Sequence, residues 1–193
     1  MPPGDLRSRI LESTTKLLRE EGLAAATSRR IARGADCSEG SIYVHFGDKG
    51  SLLAAVLSSG LPEAAALWET ADRGASVDLR EGLAAVLEAV RAYYAASYRL
   101  VGIVLVDREL FAQYSRSHRE GGTGPQQVWR AVHRFLDAHR GGLPGDLDLE
   151  VEAVKLAGAC QNSVWVEMVS GPGELPRGDP RLLIDDLVGS LTR

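Results

Sequence analysis

The stretch TSRRIARGADCSEGSIYVHFGDK, Thr27 to Lys49, reads as two short helices joined by a tight turn, with a third helix starting at its end. Thr27 suits an N-cap, because its hydroxyl can accept from an orphan N–H of the first turn. Ile31 and Ala35, four apart, give that helix one apolar side, and Arg29, Arg30 and Arg33 fall on the other. Asp36-Cys37 breaks it, since Asp tolerates a left-handed backbone better than most non-glycine residues. Ser38 caps a second helix, in which Ile42 and Phe46 again pair at i, i+4. Gly40, Ser41 and Val44 lie on its outer face, with Tyr43 and His45 on the flanks. Gly47-Asp48 ends it, and Asp48 is placed to cap the next helix. A packed pair whose second member offers a slim outer face to a groove is a helix-turn-helix by physical description.

The same residues carry a resemblance. Ile10 and Leu11 through Gly22, then Thr27, Ile31-Ala32, Ser38-x-Gly40-Ser41-Ile42-Tyr43-x-His45-Phe46 and Lys49 resemble the DNA-binding domain of tetracycline-repressor-type (TetR/AcrR-type) transcriptional regulators. The match joins many positions in order over the first quarter of the chain. It departs at Asp36, where glycine is usual and mild backbone strain is expected, and at Glu39, where the residue is often basic or neutral.

The chemistry fits a reader of duplex DNA. Gly40 has no side chain to hold the helix off the base edges, and Ser38, the cap, belongs to the same DNA-facing set. Ser41 and Val44 are the expected base readers, Val44 by apolar contact with a thymine methyl. Thr27 can donate to a phosphate near a helix N-terminus, and Arg29 can reach backbone or base. By resemblance, Tyr43, His45 and Lys49 occupy phosphate-contacting positions. Glu39 is a favourable charge in its helix's first turn. Accepting from cytosine N4 is its alternative role, and the helix-stabilising one is preferred.

At 193 residues the chain suits one or two small domains with a real core. Its hydrophobic content of 45% and charged content of 25% are ordinary for a globular protein. Cys37 and Cys160, far apart, form no disulfide framework, so a reducing cytoplasm is expected. The N-terminus lacks a hydrophobic signal core, and Leu100 to Val106 is too short by itself to span a bilayer, so no membrane association is expected. The net charge of −4 does not mark a nucleic-acid binder. Residues 1–50 hold 8 Lys and Arg against 7 Asp and Glu, and the remainder 14 against 19. Affinity would therefore rest on a few placed cations rather than a broad basic field.

Outward from the central stretch, everything reads as helix. Residues 1–4 are expected to be mobile. Ile10, Thr14, Leu17 and Leu18 repeat at helical spacing up to Gly22, and Leu52, Leu53, Val56 and Leu57 line a fourth helix ending at Gly60-Leu61-Pro62. Leu67 and Trp68 sit in a short helix. Leu79, Leu83, Val86, Leu87, Val90, Tyr94 and Tyr98 form a long stripe, and Leu100 to Leu110 suggests a helix wrapped on most sides. Gly121-Gly122 and Gly124-Pro125 break the chain before Val128, Val132, Phe135 and Leu136. A break at Gly141 to Gly145 precedes a helix from about Asp148 to Ser170. Gly171 to Asp179 reads as loop, and Leu183, Ile184, Leu187, Val188 and Leu191 form a last amphipathic helix. The fold class is all-α: a helix-turn-helix domain over 1–48, a connecting helix over 49–60, and a helical ligand-binding and dimerisation domain over 61–193.

Other features carry less. Trp68, Tyr94, Tyr98, Trp129 and Trp165, with Tyr93, could line a ligand cavity or simply fill the core; the resemblance implies an effector pocket that some of them would line. His118, His133 and His139 lack a tight ligand spacing and read as surface histidines rather than a metal site. Cys160, among Ala157, Gly158 and Ala159, suits a close helix contact better than a reactive thiol. No phosphate loop, HExxH or nucleophile elbow occurs, so no catalytic residue, cofactor or metal is expected.

The resemblance implies a homodimer whose helices at about 125–140 and 148–170 pair across the two-fold axis, placing two reading helices in successive major grooves of operator DNA. A small-molecule effector would change their separation through the fourth helix. The rival expectation is a helical ligand-binding or adaptor protein with weakened DNA binding, motivated by Asp36, Glu39 and the acidic remainder. A small helical enzyme is the third.

Overall fold

In the computed structural model, which describes residues 5–121, 125–171, 174–175 and 179–191, the described residues form ten α-helices and no strand. The expected mobile residues 1–4, and parts of the expected breaks at 121–125 and 171–179, lie outside them. Two compact units emerge: Met1–Ala64 with Ala96–Gly124, and Ala65–Ala95 with Pro125–Arg193.

The first unit begins with α1 (Leu6–Glu21), started by Asp5, whose carboxylate accepts from the Ser8 N–H at 2.7 Å, and stopped at Gly22 with φ 81°. Its Ile10, Leu11 and Leu18 are buried. Against it lies α2 (Ser28–Ala35), close enough that a β-carbon on Gly34 would stand 2.3 Å from Ser13 Oγ. That hydroxyl donates to the Ile31 carbonyl at 3.0 Å, so the approach is cemented by a buried hydrogen bond. Asp36 then takes φ 52°, ψ 58°, the left-handed conformation expected of it. The second reader, α3 (Glu39–Phe46), buries Ile42 and Phe46, and the Arg7 guanidinium covers the Phe46 ring at 4.9 Å.

Helix α4 (Lys49–Ala55) continues into a π-helical turn, Val56–Gly60, before the chain bends at Leu61. Thr15 donates to the Gly60 carbonyl at 3.2 Å, and Arg19 pairs with Glu63 at 2.9 Å, so α1 holds this turn from one side. After α5 (Pro62–Asp72) comes α6 (Leu79–Val106), whose residues from Ala96 belong to the first unit together with α7 (Arg108–Gly121).

In the second unit α6 packs Leu83, Val86, Leu87 and Val90 into a core completed by α8 (Gln126–Ala138), α9 (Leu149–Ser170) and α10 (Pro180–Leu191). Phe135 is fully buried there. Asp148 caps α9 by accepting from the N–H groups of Glu150 and Val151.

Three expectations are corrected. Leu100 to Leu110 is not one wrapped helix. Its first seven residues end α6, and Asp107 starts α7 by accepting from the N–H groups of Glu109 and Leu110. Leu105, Val106 and Phe111 around this corner are 61%, 85% and 43% exposed, because the side chains circling a helix cannot all face one core. As part of α6, moreover, the run belongs to a helix long and apolar enough to cross a membrane by length and composition, as is Lys49–Asp72. Both carry fully buried side chains in the protein's own core, among them Val56, Leu57, Leu83 and Val86. Finally, His118 is not a surface histidine: α7 turns it inward with Tyr114, whose ring it meets edge-on with centroids 4.1 Å apart. His133 and His139 are half-buried, and the His139 ring nitrogens face the carbonyls of Phe135 and Val77 at 3.1 and 3.0 Å.

Candidate nucleic-acid interface

The reading helix α3 is built to be presented. Ser38 starts it by accepting from the Ser41 N–H at 3.1 Å, Gly47 ends it with φ 77°, and Ile42 and Phe46 root it in the first unit's core. What remains outside is the expected set. Gly40, Tyr43, Val44 and His45 are exposed, Ser41 is half-buried, and Val44 reaches 84% exposure. An isolated valine so open to water gains nothing from the fold, which leaves its methyls free for a partner surface.

Gly40 sharpens this reading. A β-carbon there would meet only Ser38 Oγ, at 3.8 Å, which is ordinary contact. Nothing inside the chain demands glycine at this position, so a demand for one would come from outside. A base edge or sugar approaching the backbone of α3 is such a demand.

The flanks are arranged around that face. Thr27, exposed at the start of α2, accepts from the Arg30 N–H at 3.3 Å and keeps its own hydroxyl hydrogen to give away. Arg29 is exposed, whereas Arg30 is turned back to Glu21 in a two-pronged ion pair at 2.6 and 2.8 Å. That hydrogen bonding holds the Glu21 carboxyl below its ordinary range and the Arg30 guanidinium above its own. Lys49, half-buried, opens α4 just after the Asp48 cap, which accepts from the Ser51 N–H at 2.7 Å. Glu39 is exposed in the first turn of α3. Ser38 and Ser41 also pair through their hydroxyls at 2.8 Å.

One member of this surface escaped the sequence reading. Ser28 Oγ lies 2.7 Å from Tyr43 Oη, a hydrogen bond between the first residue of α2 and the middle of α3. A serine beside a capping threonine carries no signal of its own, and its partner is fifteen residues away.

The ligand-binding expectations are placed as follows. Tyr94 is buried, packed edge-on against Tyr93 with centroids 5.7 Å apart; Trp68, Tyr98 and Trp129 are half-buried, and Trp165 is 50% exposed. Burial pushes the Tyr93 phenol up to about 12. The second unit has a recess of about 450 Å³, walled by Ala92, Ala95, Val164 and Arg181 and crossed by Arg91, which pairs with Glu167 at 2.7 Å and bonds Ser163. None of the five aromatics lines that recess. Among the described residues no group of three or more His, Cys, Asp or Glu is placed to hold a metal ion. Cys160 is fully buried with Sγ 3.8 Å from the Leu87 carbonyl, and burial pushes its thiol up to about 12.

Residues 10–56 match the family model described as bacterial regulatory proteins, tetR family, in agreement with the resemblance carried by Ile10 to Lys49. The HTH-type transcriptional repressor AcnR of Corynebacterium efficiens is 34% identical over 81 residues, spanning 42% of this chain and 42% of the repressor. Among solved structures, a TetR-family transcriptional regulator of Mesorhizobium loti superposes with a TM-score of 0.67 at 17% identity, covering 98% of this chain and 96% of its own. The transcriptional regulator FadR of Bacillus subtilis, solved in complex with stearoyl-CoA, gives 0.60 at 16% identity, covering 95% and 96%. Likeness at these identities speaks for the all-α fold alone.

Proposed function

We propose that this chain, whose N-terminal domain belongs to the tetR family of bacterial regulatory proteins, is a sequence-specific DNA-binding transcriptional regulator, a repressor released by a small-molecule effector. The observation that carries the reading is the outer face of α3, where Gly40 is free of any internal packing demand and Val44 stands in water. Ser41 and Val44 read base edges, and Thr27, Arg29, Ser38, Tyr43, His45 and Lys49 hold the sugar-phosphate backbone. Such a protein works in the cytoplasm as a homodimer on a near-palindromic site, with residues 1–48 reading, 49–60 connecting and 61–193 sensing and pairing. A modest charge then suffices, because each cation acts twice.

Support for the pairing surface falls on α9. Val151, Val154, Trp165 and Met168 share one outward face there at 46–50% exposure, and Gly158 lies on it with open space where a β-carbon would stand. The apolar positions of α8, Val128, Val132, Phe135 and Leu136, are all buried within the chain, so that helix has less to offer a partner. Ala157 and Cys160 likewise face inward.

A second reading, a helical ligand-binding or adaptor protein with weakened DNA binding, draws on Glu39, an exposed carboxylate at the edge of the reading face. Footprinting the purified protein on the intergenic DNA beside its own gene decides between the two. Protection of a discrete near-palindrome, lost as salt rises, is the expected result; no protection at any salt favours the second reading.

A further inference from the structure

We propose that Ser28 is a positioning residue for Tyr43, holding the phenol at the edge of α3 so that the two hydroxyls act on a DNA phosphate as one donor unit. The proposal rests on the DNA-binding reading above. Its starting point is the 2.7 Å contact between Ser28 Oγ and Tyr43 Oη.

Tyr43 is 47% exposed, and its neighbours Val44 and His45 are exposed as well. Among the described residues no ring contact fixes the phenol, and its hydrogen bond goes to Ser28. A tyrosine with nothing to hold it would lose rotamer freedom on meeting DNA, at a cost to affinity. The tie to Ser28 removes much of that cost beforehand. It also joins the start of α2 to the middle of α3 on the side away from the Ile31, Ile42 and Phe46 core, fixing the reader from both faces.

The hydrogen bonding can be reversed when DNA arrives. Either hydroxyl can donate in the free protein. When an anionic phosphate oxygen approaches, the phenolic hydrogen turns to it, and the Ser28 hydroxyl donates to the phenol oxygen in its place. Each hydrogen bond in such a chain polarises the next, and the last one ends on a charge. Thr27 cannot take this part, because its oxygen already accepts from the Arg30 N–H on its own helix. The two adjacent hydroxyls therefore divide the work: Thr27 caps α2, and Ser28 braces α3.

The test is a double-mutant cycle on the full-length protein. Ser28→Ala, Ser28→Thr, Tyr43→Phe and Ser28→Ala/Tyr43→Phe are titrated against a duplex from the intergenic DNA beside its own gene and against a random duplex of equal length. Ser28→Ala is expected to weaken binding about three- to tenfold on both duplexes. The salt slope should not change, since no cation is lost. Ser28→Thr should return affinity to within about twofold of wild type, because the hydroxyl is retained. In the Tyr43→Phe background the Ser28→Ala change should add nothing. A loss of equal size in that background, or no loss when Tyr43→Phe alone weakens binding, overturns the proposal. Wild-type protein that binds neither duplex in a salt-dependent way overturns the DNA-binding reading and this proposal with it. Melting curves of the variants separate these effects from misfolding, and since the pair lies at the surface they should superpose.

Discussion

The backbone N–H of Gly50 donates to Gln113 Oε1 at 3.1 Å, and a β-carbon on Gly50 would stand 2.3 Å from the Gln113 Cβ and 2.7 Å from the Tyr114 backbone nitrogen. Gly50 is the second residue of α4 and follows Phe46, the last residue of the reading helix, by four positions. Helix α7 thus touches the chain where reading ends and connection begins. The N–H it satisfies is one of the orphans every helix start leaves open.

Gly50→Ala should therefore be costly although alanine favours helices. The clash is with Gln113 Cβ and backbone, which cannot swing aside, so α7 must shift. A loss of about 1–3 kcal/mol in urea unfolding is expected for overpacking of this kind. Stability equal to wild type would mean that α7 is free to move away from α4 at little cost.

Much of the first unit was legible because its signals are local. Thr27, Ser38, Asp48 and Asp148 cap the helices they were expected to cap, Gly22 and Gly47 end theirs, and Ile31, Ala35, Ile42 and Phe46 are buried. What stayed hidden depends on partners distant in sequence. No local pattern tells that Gly34 makes room for Ser13, that His118 stacks on Tyr114, or that Ser28 reaches Tyr43. The run 100–106 misled for another reason: an apolar stretch shows that a helix can be buried, but not which of its sides is.

Lys49→Ala should weaken binding to all DNA sequences alike, because a phosphate contact positions the protein without specifying a base. It should also lower the slope of log K against log salt by about one unit. An unchanged slope removes Lys49 from the contact set.

Val44 is expected to read a base through its methyls. Val44→Ala should cost roughly 1 kcal/mol or less of total affinity while relaxing preference at one operator position. Selection of binding sites from a random pool measures this directly. Identical position weights for the two proteins would defeat the assignment. The fold itself should be indifferent, given the side chain's 84% exposure.

The two thiols should differ in reactivity. Cys37 is half-buried in the turn, whereas Cys160 is sealed in the second unit's core with its thiol pushed up to about 12. Since the thiolate is the nucleophile, the native protein at neutral pH should titrate one thiol rapidly and the unfolded protein two. Two fast equivalents from native protein would show that the core around Cys160 opens readily.

Gly158 offers the sharpest test of how the chain pairs with itself. It lies in the middle of α9, where glycine costs about 1 kcal/mol relative to alanine, yet no atom lies within 4 Å of where its β-carbon would be. The fold alone gives no reason for glycine here. Around it on the same face stand Val151, Val154, Trp165 and Met168, half exposed, an apolar stripe at helical spacing that a second copy would cover. Two helices crossing at a glycine can approach closely, and a leucine would hold them apart. Gly158→Leu should leave the single chain folded, because its side chain enters open space. It should weaken self-association by about 1–3 kcal/mol through overpacking at the crossing. Operator binding would then fail at low protein concentration and return as concentration rises, since only the pairing has been lost. Sedimentation at several concentrations, run beside the DNA titration, reads both effects. A dimer of unchanged dissociation constant would take Gly158, and with it this face of α9, out of the pairing surface.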